Sequence, residues 1–466
     1  MVFSSIEFIY YFLPIVLVLY YLSPNRYRNL SLFIASLAFY FIGEPKYTLL
    51  LLVSTLVDFY HSKMIVKHRG SKKAKRALIQ SIAINLSFLG FFKYADFIIG
   101  IVNGLFGLKL AYLNLSLPIG ISFFTFQTMS YTIDVYRQDA PVQKSIISLG
   151  TYVTMFPQLI AGPIVRYNTL ATQLIHRDHT YNKFSRGIYR FLIGLMKKIL
   201  IANVIGEAIG IIASGPQDAV VNHWLTAVGF ALQIYFDFSG YSDMAIGLGL
   251  FFGFEFMENF NYPYIAKSIS DFWRRWHISL GQWFRDYVYI PLGGNKVSNL
   301  KWIRNIILVW LLTGLWHGAH WNYVLWGGLF AILLVLEKAF ILKWLKKVPH
   351  FFQHLYVILL ILLSFIVFRY EDFPAMIEEF RALLGFKDIP LYSPSTLYYL
   401  STYGRLYLIA IVAATPVGKK LYHRLSKSTF KPLLEGGAYM GLLIALFIMT
   451  GYLVDASFNP FLYFRF

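Results

Sequence analysis

Val357-Ile358-Leu359-Leu360-Ile361-Leu362-Leu363-Ser364-Phe365-Ile366-Val367-Phe368 carries no charge and a single hydroxyl. With its flanks it makes an apolar segment at 351–369, close to the roughly 20 residues a helix needs to cross a hydrocarbon core. Comparable segments recur along the chain, roughly at 5–22, 29–43, 46–62, 78–96, 97–109, 113–135, 145–162, 188–213, 224–252, 303–316, 323–341, 404–418 and 436–453. No polar gap between them is long enough for a separate soluble domain. We therefore expect one all-α, polytopic membrane domain over residues 1–466. About ten to twelve spans are expected, because some of these segments are too short to cross completely.

Composition supports the same reading. The chain is 57% hydrophobic and only 14% charged, against about 25% charged in a soluble domain, so soluble enzymes and disordered chains are excluded. Lys and Arg total 42 against 23 Asp and Glu, a net charge of +19. In a membrane chain this excess belongs first to cytoplasmic loops and to anionic lipid heads, and no nucleic-acid partner is expected. The absence of cysteine excludes thiol catalysis, disulfides and Cys-based zinc sites. The first segment, opening Met1-Val2-Phe3-Ser4-Ser5, has neither a basic n-region nor a small-residue cleavage site and is expected to be a retained helix.

Three basic loops set the orientation. They are Lys63, Lys67, Arg69, Lys72, Lys73, Lys75 and Arg76; then Lys338, Lys343, Lys346 and Lys347; then Lys419, Lys420, Arg424, Lys427 and Lys431. All are expected on the cytoplasmic side. Working outward from the second loop, the connection Trp316-His317-Gly318-Ala319-His320-Trp321 falls toward the outer side. The aromatic, polar stretch 253–302 then falls on the cytoplasmic side, as short helices in or near the interface.

Polar residues at membrane depth are costly unless partnered, so each marks a site of interest. Four stretches stand out. The first runs from Leu117-Pro118-Ile119-Gly120 through Gln127 to Asp134 and Arg137. The second, Phe156-Pro157-Gln158-Leu159-Ile160-Ala161-Gly162-Pro163, breaks a helix with two prolines and a glycine, which is tolerated only inside protein or against a cavity. The third, around Asp237, Tyr241 and Asp243, sets two carboxylates in an apolar span; a buried basic or backbone partner is the plain reading of Asp237.

The fourth is Asp271-Phe272-Trp273-Arg274-Arg275-Trp276-His277-Ile278-Ser279-Leu280, continuing to Gln282, Arg285 and Asp286. On a continuous helix, Trp273, His277, Leu280 and Phe284 fall within about 40° of one another, while Arg274, Arg275, Gln282 and Arg285 gather elsewhere. That arginine face suits either lipid headgroups or the phosphates of an acyl carrier. Further on, Trp316, Gly318 and Trp321 surround His317. It reads either as a hydrogen-bonded core residue or as a desolvated, neutral base. His317 and His320 are three apart, but no acidic residue or cysteine lies near enough in sequence to complete a metal set; no metal is expected.

These motifs carry a resemblance. Phe272–Leu280 with Phe284-Arg285-Asp286-Tyr287, Ile290-Pro291-Leu292-Gly293-Gly294-Asn295 and Leu315-Trp316-His317-Gly318-Ala319 resemble the membrane-bound O-acyltransferase (MBOAT) family. Leu117–Phe123, Pro157–Ile164, Phe236–Asp243 and the C-terminal Asn459–Phe466 are similar to its bacterial alginate O-acetylase (AlgI-like) branch. The resemblance implies a ring of tilted helices around a thin centre, with re-entrant and interfacial helices. It makes His317 the family's essential histidine and places His277 at its second motif position. Relatives often have a second His-Gly after the Trp-Gly pair; here Trp326-Gly327-Gly328-Leu329 is followed by Phe330-Ala331, so no role for that later histidine carries over.

The implied activity is O-acetyl transfer across the bacterial cytoplasmic membrane to an exported polysaccharide such as alginate. No bound cofactor is implied. A cytoplasmic acyl thioester, most simply acetyl-CoA, serves as co-substrate and docks at Arg274, Arg275 or Arg285. His317 and His277 handle protons, with Gln127, Asp237 and Tyr241 in support. The implied partners are the lipid bilayer and either the polysaccharide itself or an extracytoplasmic SGNH-type acetyltransferase that relays the acetyl group. D-alanyl transfer to teichoic acid, as in the DltB-like branch, and a non-enzymatic transporter are the alternatives.

Overall fold

The computed structural model describes residues 1–160, 162–427 and 431–455; Ala161 and the Asn459–Phe466 motif lie outside the described residues. Secondary structure among the described residues is helical throughout, with no strand. Five helical runs are long and apolar enough to cross a membrane: Thr48–Lys67, Lys72–Phe106, Trp321–Leu345, His350–Arg369 and Lys431–Asp455. A sixth forms if Pro394–Ala413 and Val417–Leu425, bent by 64°, count as one span. That is fewer than the ten to twelve expected from the apolar segments. The segments at 78–96 and 97–109 are one continuous run, carried through a π-helical turn at Gly90–Tyr94. Others are short: the first apolar helix covers only Glu7–Leu22, and 145–162 divides at Met155 into Ile146–Thr154 and Phe156–Leu159.

The chain forms two compact units. The first comprises Met1–Phe191 and Ser242–Met257. Thr48–Lys67 and Lys72–Leu89 form a helical hairpin whose turn uses Gly70 at φ +76° and Ser71, which accepts from the Lys73 amide at 3.2 Å. Between these helices and Ile121–Arg137 lies Asp58, fully buried. Its carboxylate accepts from Ser81 Oγ (2.6 Å) and Asn85 Nδ2 (3.0 Å), and Asn85 Oδ1 accepts from Ser54 Oγ (2.7 Å). Neighbouring helices thus supply the hydrogen bonds that a charge at membrane depth requires. The segment expected to be helical from 113 begins at Ile121. Gly120 there has φ +78°, and a Cβ on it would stand 2.7 Å from the Leu159 carbonyl oxygen, so only glycine fits the turn.

The second unit comprises Leu192–Tyr241 and Glu258–Phe466. Its apolar core is built largely of aromatics, among them Phe236, Phe272, Trp276, Trp326, Phe330 and Phe365. The helix expected to continue through 271–286 is broken: Ile269–Arg275 and Ile278–Phe284 are separate, with Trp276 extended and His277 at φ +45° between them. The single apolar stripe read from helical spacing therefore does not exist. Trp273 and His277 belong to different elements, and the Asn259 side chain and main chain bind the second helix in place of the lost turn.

Candidate active site

His317 closes the helix Asn299–His317, and Trp321–Leu336 returns against it. A Cβ on Gly314 would run into the Tyr323 carbonyl oxygen, and one on Gly327 into that of Trp310, so small residues let the two backbones touch. Gly318 follows the same logic, since a Cβ there would overlap the Tyr323 ring. This tight return buries His317 to 5% exposure. Its ring centroid lies 5.1 Å from Trp316, 5.1 Å from Trp326 and 5.3 Å from Phe368. Phe368 is itself held by Asn322, which donates Nδ2–H to its carbonyl at 2.9 Å.

The imidazole of His277 is buried as well, in the same unit. A left-handed conformation at a non-glycine residue costs about 1–3 kcal/mol and persists only where its surroundings impose it. Asn259 does so: its main-chain carbonyl accepts the Ile278 amide at 2.9 Å, and its Oδ1 accepts the Ser279 amide at 3.2 Å, the Ser279 hydroxyl at 2.9 Å and His277 Nδ1 at 3.2 Å. Phe238 stands edge-on to the imidazole at 4.7 Å, and Trp316 lies 5.7 Å away. His277 is outside the spanning helices. Burial first, and then the neighbouring His317, hold it well below the ordinary histidine range, because both disfavour the charged ring.

The helix that leads to His277 is anchored at its start. Glu337, buried, accepts the Ile269 amide at 2.6 Å and the Ser270 amide at 2.8 Å. Ser268 Oγ accepts the Asp271 amide at 3.0 Å. A carboxylate and a hydroxyl thus satisfy the amides that a helix N-terminus leaves open.

The remaining candidates are distributed as follows. Asp237 pairs with Lys198 at 2.6 Å, the buried partner its sequence setting called for. Tyr241 is buried one turn beyond Phe238 on the same helix. Gln127 belongs to the first unit, where its Nε2 donates to the Tyr152 carbonyl at 2.7 Å. Arg275 is engaged by Asp271 at 2.9 Å, and Arg285 by Asp286 at 2.7 Å, while Arg274 is exposed. His320 is turned to solvent, 57% exposed and 3.9 Å from Glu371, whereas His317 is enclosed. Among the described residues no group of three or more His, Cys, Asp or Glu is arranged for a metal ion.

Two features went unseen in the sequence. Asn259 and Glu337 are distant from the histidine motifs in the chain and are brought to them only by folding. The indole N–H groups of Trp273 and Trp326 are buried and find no hydrogen-bond acceptor among the described residues. Their rings are 5.6 Å apart, and that of Trp326 touches His317. Unsatisfied buried donors are rare and call for a functional or structural reason.

Fold and site together define a multi-pass, all-helical membrane protein with two desolvated histidines in an aromatic enclosure. The chain belongs to the membrane-bound O-acyltransferase family, whose model matches residues 37–368, a span that includes both His277 and His317; it is an acyltransferase. It is 43% identical over 391 residues to the probable alginate O-acetylase AlgI of Pseudomonas aeruginosa, covering 83% of this chain and 75% of that one. The probable alginate O-acetylase AlgI of Pseudomonas putida is 38% identical over the full length of both chains. The peptidoglycan O-acetyltransferase of Helicobacter pylori is 34% identical over 84% of this chain and 81% of its own.

Proposed function

We propose that this protein takes an acetyl group from a cytoplasmic thioester, most simply acetyl-CoA, and delivers it through the bacterial cytoplasmic membrane for O-acetylation of an exported polysaccharide, alginate or one like it. The observation that carries this reading is the enclosure of His317 beside His277, two imidazoles shielded from water within a membrane chain. His317 takes the proton of the acceptor hydroxyl as its oxygen attacks the thioester carbonyl. A C–O bond forms and the C–S bond breaks. The thiolate leaves toward the cytoplasm and is reprotonated, with His277 assisting this second proton step. Negative charge that develops on the carbonyl oxygen needs donors aimed at it, a role suited to the Trp326 and Trp273 indoles.

The donor phosphates are assigned to the arginines beside the His277 helix. Arg274 is exposed for that role, while Arg275 and Arg285 would have to share their carboxylates with it. The acetyl group passes directly to the polysaccharide or through an outer SGNH-type partner.

The test is mass analysis of exported glycans from cells that carry the native protein, His317→Ala or His320→Ala at equal protein level. Loss of O-acetyl groups with His317→Ala alone is expected. Full acetylation with His317→Ala overturns the reading, equal loss with His320→Ala points to a shared metal site, and loss of D-alanine in place of acetate points to teichoic acid as acceptor.

A further inference from the structure

Asn259 is fully buried and lies outside the histidine motifs, yet its side chain is hydrogen-bonded to the His277 ring. The backbone amide of Ser279 can only donate, so the Asn259 atom that faces it at 3.2 Å is the amide oxygen. That same oxygen lies 3.2 Å from His277 Nδ1. An oxygen already fixed as acceptor requires a proton on Nδ1, and a neutral imidazole with its proton on Nδ1 carries its lone pair on Nε2. The Ser279 hydroxyl donates to the same oxygen at 2.9 Å, which reinforces its orientation. The Asn259 carbonyl holds the Ile278 amide at 2.9 Å, so one residue sets both the backbone and the ring of His277.

We propose that Asn259 is a positioning residue that locks His277 in its Nδ1–H tautomer and so presents the Nε2 lone pair as a proton acceptor beside His317. The inference rests on the acyl-transfer reading for its consequence in catalysis, but the tautomer itself is observable without turnover. Among the described residues, the titratable group whose charge bears on His277 is His317; Phe238, Trp316, Asn259 and Ser279 around it carry no charge. Glu258 is exposed, and Arg275 is paired with Asp271.

The experiment uses the full-length protein in membranes, with acetyl-CoA as donor, and four variants: Asn259→Asp, Asn259→Leu, His277→Ala and the double Asn259→Leu with His277→Ala. Asn259→Asp keeps an acceptor toward Nδ1–H but adds a negative charge. The acidic limb of the pH–rate profile should then move upward by about one pH unit or more, since a nearby carboxylate favours the protonated ring. Asn259→Leu should lower kcat about 10²-fold, within the usual contribution of general acid–base groups, with KM for the donor unchanged. Adding Asn259→Leu to His277→Ala should cause no further loss, because a residue acting through another is non-additive with it. Nitrogen-15 NMR of histidine-labelled protein should report Nδ1–H at His277. An Nε2–H tautomer in the native protein, or additive losses with an unmoved pH limb, overturns the proposal. If the native protein transfers no acetyl group while NMR reports Nδ1–H, the acyl-transfer reading fails and the tautomer assignment stands.

Discussion

Lys198 Nζ and Asp237 Oδ1 meet at 2.6 Å with both side chains 3% exposed, an ion pair formed inside the second unit. A Cβ on Gly240, three residues on, would stand 2.8 Å from the Gly194 carbonyl oxygen, so glycine lets the helices that carry the pair approach closely. Removing one member strands a buried charge, which costs about 3–5 kcal/mol, whereas replacing both with apolar residues of similar volume is often neutral. Asp237→Asn is therefore expected to lower the unfolding midpoint in detergent strongly, and Lys198→Met with Asp237→Leu to recover most of it. A double variant as unstable as the single one would show that the pair does more than neutralise itself.

In the first unit, His179 links the Tyr20 hydroxyl, 2.9 Å from its Nε2, to the Arg28 guanidinium, 3.0 Å from its Nδ1. Arg177 donates to the same hydroxyl at 2.8 Å. Burial first, and then Arg28 and Arg177, lower His179 from 6.5 to about 4. The folded chain therefore binds this proton more weakly than the unfolded one. The contribution to stability is complete above about pH 6.5, declines as pH falls, and is lost below about pH 4. His179→Gln is expected to flatten the acid side of the stability profile in that window, as followed by thermal unfolding at stepped pH. An unchanged slope would assign the acid sensitivity to other groups.

Much of the site is legible in the sequence. Trp316 stands beside His317 in the chain and Gly318 marks the tight return, but the rings that complete the enclosure are Trp326 and Phe368 from farther along, while Trp321, which the sequence also set beside it, is exposed. Asp237 in an apolar segment demanded a buried partner, and Lys198 is that partner. What could not be read depends on contacts between distant segments. Helical spacing placed His277 on the same stripe as Trp273, but the left-handed residue between the two helices is stabilised by Asn259, 18 positions away. Composition gave no hint that Glu337, in an apolar helix, caps the helix before His277 across 68 residues. The charge of Arg274, Arg275 and Arg285 was legible, but not the break that puts Arg285 on a different element from Arg274 and Arg275, nor the pairs with Asp271 and Asp286 that occupy two of them.

The glycine at the His317 turn yields a sharper test than the histidine itself. Gly318→Ala places a methyl group inside the Tyr323 ring. Tyr323 packs against Phe368 at 5.0 Å, and Phe368 against His317 at 5.3 Å, so displacement reaches the imidazole through two rings. Overpacking of this kind costs about 1–3 kcal/mol, and acetylation should fall while the histidine remains. Gly328→Ala, where nothing lies within 4 Å, should leave both stability and activity unchanged. Equal effects at the two positions would remove the turn from the argument.

Trp326 offers the most direct probe of charge stabilisation in the proposed reaction. It is 2% exposed, its ring lies 5.1 Å from that of His317, and its indole N–H has no acceptor among the described residues. A buried donor left without a partner costs about 1–3 kcal/mol, and that cost falls when the carbonyl oxygen of a bound thioester arrives and grows as negative charge builds on it. Trp326→Phe removes the donor and keeps most of the aromatic surface that packs Phe330 and Phe368. Loss of one oxyanion donor typically lowers kcat by about 10²–10³-fold. The expected outcome is a fall of that size in kcat for acetyl transfer with KM for acetyl-CoA little changed, since the interaction strengthens only toward the transition state. A variant that raises KM at unchanged kcat would instead make Trp326 a wall of the donor site, and one with native kinetics would leave its N–H without a part in the chemistry.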